Sequence, residues 1–135
     1  MKTHISAISI LIFAGFLLVA CSGQGPSTTI SVGMTDFQCI PNLFTVPAGQ
    51  EITVNAVNNG AVVHDFVLMK WATTVGDKYD EEDLPNVYWK IELQPGETTT
   101  TSFTAPMAPG EYQVVCGTKG HLEAGMIARL IVVNQ

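Results

Sequence analysis

The chain has 135 residues, six Lys or Arg against twelve Asp or Glu, and a formal net charge of −6. That length holds one domain and a leader but not two domains. The acidic balance argues against a nucleic-acid partner, which needs a basic face, and permits attraction to a basic protein.

Residues 1–20 read as a lipoprotein signal peptide. Lys2 and His4 stand in an acid-free start, and Ile10–Ala20 is an apolar run. The run is shorter than the roughly 20 apolar residues of a membrane span and suits the apolar part of a secretory signal. It ends in Leu18-Val19-Ala20-Cys21, which resembles the lipobox of bacterial lipoproteins. The resemblance implies cleavage before Cys21, lipidation of that cysteine and a lipid-anchored protein on the periplasmic or extracellular face of a bacterial membrane. An ordinary signal peptide or an uncleaved anchor is the alternative. Residues 21–29 would then be the lipidated cysteine and its flexible tether. Cleavage removes Lys2 alone among the charged residues, leaving five basic against twelve acidic and a net charge of −7.

From residue 30 to 135 the pattern is that of one β-domain. Candidate strands are Ile30–Met34, Leu43–Val46, Glu51–Asn58, Asp65–Met69, Tyr88–Leu93, Thr98–Thr104, Glu111–Cys116 and Ile127–Val133, eight in all. β-Branched runs separated by Pro47-Ala48-Gly49, Asn58-Asn59-Gly60, Pro95-Gly96 and Pro106 through Gly110 point to a sandwich or barrel. The exception is 71–86, polar, acidic and irregular, which suits a short helix or a flap over the sandwich. Alternation puts Phe37 and Cys39 on one side of the opening strand, and puts His64 with Phe66 and Leu68, and Tyr112 with Val114 and Cys116, on single faces. Export allows disulfides, yet Cys39 could pair only by sacrificing Cys21 or Cys116, so it is expected to be a buried free thiol.

The chemistry concentrates in the last third. Cys116, His121 and Met126 fall in one glycine-rich loop as Cys-x4-His-x4-Met, and His64 lies upstream after Asn58-Asn59-Gly60. Taken singly, each is more often a core residue than a ligand. Together they are two imidazoles, a thiolate and a thioether, the donor set of an electron-transfer copper. A binuclear copper centre would need a second cysteine in the loop, and structural zinc would not choose methionine.

These residues resemble the cupredoxins, the small blue-copper proteins, and most of all the azurin, plastocyanin and auracyanin group. The resemblance covers nearly all of the chain after its leader: Asp36-Phe37, Pro41, Val46-Pro47-Ala48-Gly49, Asn58-Asn59-Gly60, His64-Asp65-Phe66-Val67-Leu68, Pro109-Gly110-Glu111-Tyr112 and the ligand loop. Gly120-His121 and Ala124-Gly125-Met126 look most like auracyanin-type proteins. The resemblance implies an all-β, eight-stranded Greek-key β-sandwich binding one type 1 copper ion through His64, Cys116, His121 and Met126.

The chain departs from the family beside the ligands. Asparagine usually follows the first histidine and ties to a hydroxyl residue after the cysteine; here those positions hold Asp65 and Gly117. The N–H of Asp65 can still bond the Cys116 sulfur, and its side chain can turn to Thr118 or stay protonated in a dry site. A carboxylate there favours Cu(II) and lowers the potential. His121 is expected to be the electron exit, ringed by a docking surface of Gly120, Leu122, Ala124 and Gly125. The acidic run Asp77–Asp83 could steer a basic partner such as a c-type cytochrome, or be a solvated loop. Tyr112 resembles the tyrosine corner of Greek-key sandwiches, and Trp71 and Trp89 are expected to pack.

The function expected is that of a monomeric, membrane-tethered electron carrier serving a c-type cytochrome or a membrane electron-transfer complex. It is not expected to be an enzyme, since four protein ligands leave no position for substrate. A copper storage or delivery lipoprotein on the same fold is the alternative, and a metal-free scaffold domain a further one.

Overall fold

The computed structural model describes residues 25–134, so the leader, His4 and Cys21 lie outside the described residues. Nine strands form two sheets: β1 (Thr29–Thr35), β2 (Gln38–Ile40), β3 (Leu43–Pro47), β4 (Glu51–Asn58), β5 (His64–Met69), β6 (Val87–Leu93), β7 (Thr98–Thr104), β8 (Gly110–Val115) and β9 (Ile127–Val133). One sheet has the order β2-β1-β4-β7 and the other β3-β9-β8-β5-β6. Among the described residues no helix is long and apolar enough to cross a membrane.

The strands form where alternation predicts. In β1, β4 and β9 every second side chain is buried, which lets each sheet shed one apolar face onto the other. Phe44, Phe66, Trp89 and Phe103 run as an aromatic chain through that interior. Phe66 meets Phe44 and Trp89 edge-on at 5.8 and 6.3 Å, and Trp89 stacks on Phe103 at 4.8 Å. Tyr112 is buried and its hydroxyl donates to the Ala108 carbonyl at 2.7 Å, the corner its position suggested.

β5 is buried on both faces from Phe66 to Met69, which alternation alone does not predict. The 71–86 segment is the reason. Val75, Val67, Met69, Val115 and Leu122 form a second apolar cluster outside the sandwich, and the Gln113 side chain accepts the Val75 N–H at 2.7 Å. The segment ends in a 3-10 helix, Glu81–Asn86, with a capping box: Asp80 accepts the Glu82 N–H at 3.0 Å and Asp83 accepts the Asp80 N–H at 3.0 Å. The short-helix expectation therefore holds, and part of the acidic run is spent on capping. Lys78 pairs with Asp80 at 2.8 Å, which the exposure of the pair makes weak.

Three expectations change. The sandwich has nine strands, not eight, because the chain reverses at Asp36-Phe37 and adds β2, with Thr35 opposite Gln38 and Gly33 opposite Ile40. Phe37 sits in that turn with φ 74 and is 48% exposed, while Cys39 is buried, so the two do not share a face. Trp71 does not pack inside either; it is 59% exposed and lies over Gly110, where a Cβ would come within 2.9 Å of its Nε1.

Candidate metal centre

Asn58 sets up the first ligand. It is fully buried at the end of β4, donating to the Val62 and Leu93 carbonyls at 2.8 and 3.0 Å and accepting the Gly60 N–H at 2.8 Å. With its polar atoms so satisfied, it fixes the loop that delivers His64 as the first residue of β5. Thr118 on the ligand loop donates to the Val63 carbonyl at 2.8 Å, so the loops carrying the two histidines are bonded together.

Cys116 follows β8 directly. Its N–H donates to the Met126 carbonyl at 3.3 Å, and the Met126 N–H donates to the His121 carbonyl at 2.9 Å. Those bonds curl the loop on itself, with Gly120 and Gly125 at φ 86 and 91 where side chains are disfavoured. His64, Cys116, His121 and Met126 are all buried.

The donors converge. Cys116 Sγ lies 3.8 Å from His64 Nδ1 and 3.4 Å from His121 Nδ1, and the three donor atoms all lie within 4.8 Å of one another. Metal bonds of roughly 2.0–2.3 Å to nitrogen and sulfur put two donors of a trigonal site about 3.8 Å apart, so these separations fit one shared ion. The Asp65 N–H donates to Cys116 Sγ at 3.3 Å, as expected. Burial, then the neighbouring His64, hold His121 below the usual histidine range, which favours the neutral ring that a metal ligand must be. A buried set of two imidazoles, one thiol and a thioether suits one copper ion.

Around the donors some expectations fail. Of the two courses open to the Asp65 side chain, the bond to Thr118 is not made, because Thr118 bonds Val63, and the dry site is what the structure shows. The Asp65 carboxylate instead lies over Gly117, where a Cβ would be 2.8 Å from its Oδ2, and its Oδ1 is buried with no hydrogen-bond partner. Burial, then Glu92, push Asp65 above the usual carboxylate range, against Lys90 and His64. Of the docking residues, Gly120, Ala124 and Gly125 are exposed but Leu122 is buried in the second cluster, because the loop turns its one large apolar side chain inward.

Two residues of the site escaped the sequence reading. Phe37 meets the His121 ring edge-on at 5.3 Å, and Asp36 Oδ1 lies 3.2 Å from His64 Nε2. Both stand in the β1–β2 turn, which the pattern blurs into one strand. An acid–aromatic pair interrupting apolar alternation was the available signal.

A cupredoxin-like domain model matches residues 8–128. Auracyanin-A of Chloroflexus aurantiacus is 32% identical over 117 residues, covering 74% of this chain and 71% of that protein. Sulfocyanin of Sulfolobus acidocaldarius is 26% identical over 98 residues, covering 66% of this chain; the chain spans about half, 49%, of that protein's length. The dithionite-reduced auracyanin of Roseiflexus castenholzii superposes with a TM-score of 0.70 at 33% identity, covering 81% of this chain and 99% of that one.

Proposed function

This chain belongs to the cupredoxin-like family, and on that premise we propose that it is a membrane-tethered carrier of single electrons between redox proteins. The observation that carries the reading is the placement of Cys116 Sγ at 3.8 and 3.4 Å from the inward nitrogens of His64 and His121, all buried. Bound copper supplies the exchangeable electron by alternating between Cu(I) and Cu(II).

The residues of the chain do the rest. Loops bonded at Thr118–Val63 and at Cys116–Met126 hold the donors before any metal arrives, so little rearrangement accompanies a change of charge. Burial excludes water, and four protein donors leave no place for a substrate, which argues for a carrier and against an enzyme.

His121 is the exit. The residue is 6% exposed, Phe37 lies against its ring, and Gly120, Ala124 and Gly125 are open at the surface in the same loop. Small and apolar groups there suit a brief contact with a c-type cytochrome or a membrane electron-transfer complex. The exposed acids Glu81 and Glu82, together with the chain's negative charge, suit a basic partner. The tether is the lipid on Cys21, inferred from the lipobox resemblance alone, and it places the domain outside the cytoplasm.

The test is stopped-flow mixing of the reduced, copper-loaded full chain with an oxidised c-type cytochrome. Rapid bimolecular transfer that slows as salt rises supports the carrier. No transfer, with ready loss of Cu(I) to a chelator, would move the assignment to copper storage or delivery.

A further inference from the structure

The Asp36 carboxylate stands between the buried His64 ring and solvent. His64 is 0% exposed, its Nδ1 faces Cys116 Sγ at 3.8 Å, and its Nε2 lies 3.2 Å from Asp36 Oδ1. A neutral imidazole carries a single N–H. Whichever nitrogen meets an acceptor keeps the proton, and the other is left bare to ligate.

Asp36 is itself fixed. Its two oxygens accept the Ala61 N–H at 3.2 and 3.3 Å, so one carboxylate grips both the ring and the loop that carries it. Gly60 provides the room: a Cβ there would lie 2.5 Å from His64 Nε2 and 2.6 Å from Asp36 Oδ1. The turn that brings Asp36 to this place holds Phe37 at φ 74, a region a bulky residue avoids unless its surroundings impose it.

We propose that Asp36 is a positioning residue for His64: it accepts the Nε2–H and so presents Nδ1 bare towards Cys116, with Gly60 giving the clearance. The consequence for metal rests on the copper reading above. The tautomer does not, because it belongs to the metal-free chain.

The experiment uses the full chain in detergent as wild type, Asp36→Asn and Asp36→Ala, with circular dichroism to show that each is folded. Nitrogen–proton NMR of the metal-free His64 ring should show Nε2–H in wild type and in Asp36→Asn, whose amide oxygen still accepts. In Asp36→Ala an Nδ1–H population should appear. With Cu(II), Asp36→Ala should lose about 10–100-fold in copper retention, while Asp36→Asn keeps the copper and shifts its potential upward through loss of a negative charge. Gly60→Ala should reproduce the Asp36→Ala result. An unchanged Nε2–H tautomer in Asp36→Ala, with copper retention within about twofold of wild type, would overturn the proposal. A wild-type chain that gives no thiolate–copper band defeats the copper reading instead, and the tautomer comparison still decides the role of Asp36.

Discussion

Asp65 reaches Cys116 by its backbone and passes over Gly117 by its side chain: its N–H lies 3.3 Å from the sulfur, and its Oδ2 occupies space that a Cβ on Gly117 would enter at 2.8 Å. One residue thus sets the hydrogen bonding of the thiolate and places an acid beside it. Because Oδ1 is buried without a partner, the carboxylate has little else to satisfy it.

Replacing Asp65 by Asn keeps the backbone bond and removes the charge. The midpoint potential of the copper-loaded chain should rise, by an amount on the order of tens of millivolts given the electrostatics of a half-buried charge near the metal. Cyclic voltammetry reads it, and an unchanged potential removes Asp65 from any tuning role.

Cys39 is a free thiol buried beside the site, and burial, then Cys116, push it up from 9.0 to about 12. Its folded pKa lies above its unfolded one, so the folded state favours the neutral thiol. The associated stability is fully present below pH 9.0 and is lost as pH rises towards 12. Denaturant midpoints should fall across that range in wild type and fall less in Cys39→Ala. In the copper-loaded chain Cys39 should resist thiol reagents near neutral pH until the protein unfolds, and the visible spectrum of Cys39→Ala should match wild type.

Phe37 is half exposed and lies edge-on to His121. Phe37→Ala should leave the visible spectrum in place, since no donor is touched, and lower the bimolecular transfer rate by about tenfold through loss of an aromatic contact at the exit. An unchanged rate would put the docking surface elsewhere.

Tyr112→Phe removes only the hydroxyl that donates to Ala108 at 2.7 Å. The cost should be about 1 kcal/mol, or roughly 4–8 °C in the melting temperature of a domain near 100 residues, with no change in the copper spectrum.

The strands were legible wherever one face is buried and the other wet, as in β1, β4 and β9, because alternation records that asymmetry directly. β2 was not, since three residues hold no period. β5 misleads for the opposite reason: its outer face is covered by 71–86, a contact made by a segment whose own pattern is irregular. The four donors could be read because their chemistry is rare and their order fixed. Asp36 and Phe37 could not, because their role depends on a turn closing against β4–β5 and the ligand loop, distant in sequence. The inward turn of Leu122 and the partner of Thr118 are hidden from the pattern for a related reason. Side-chain direction within a loop is set by what lies beneath it, here Val67 and Val115 for Leu122 and the Val63 carbonyl for Thr118.

The most direct measurement is a visible titration of the full chain with Cu(II), in wild type and Cys116→Ser. One equivalent should give an intense blue thiolate-to-copper band that ascorbate bleaches and reoxidation restores, with no band in Cys116→Ser. A wild-type solution that binds copper without that band, or stays colourless with the metal unbound, would contradict the central claim that Cys116, His64 and His121 share one copper ion.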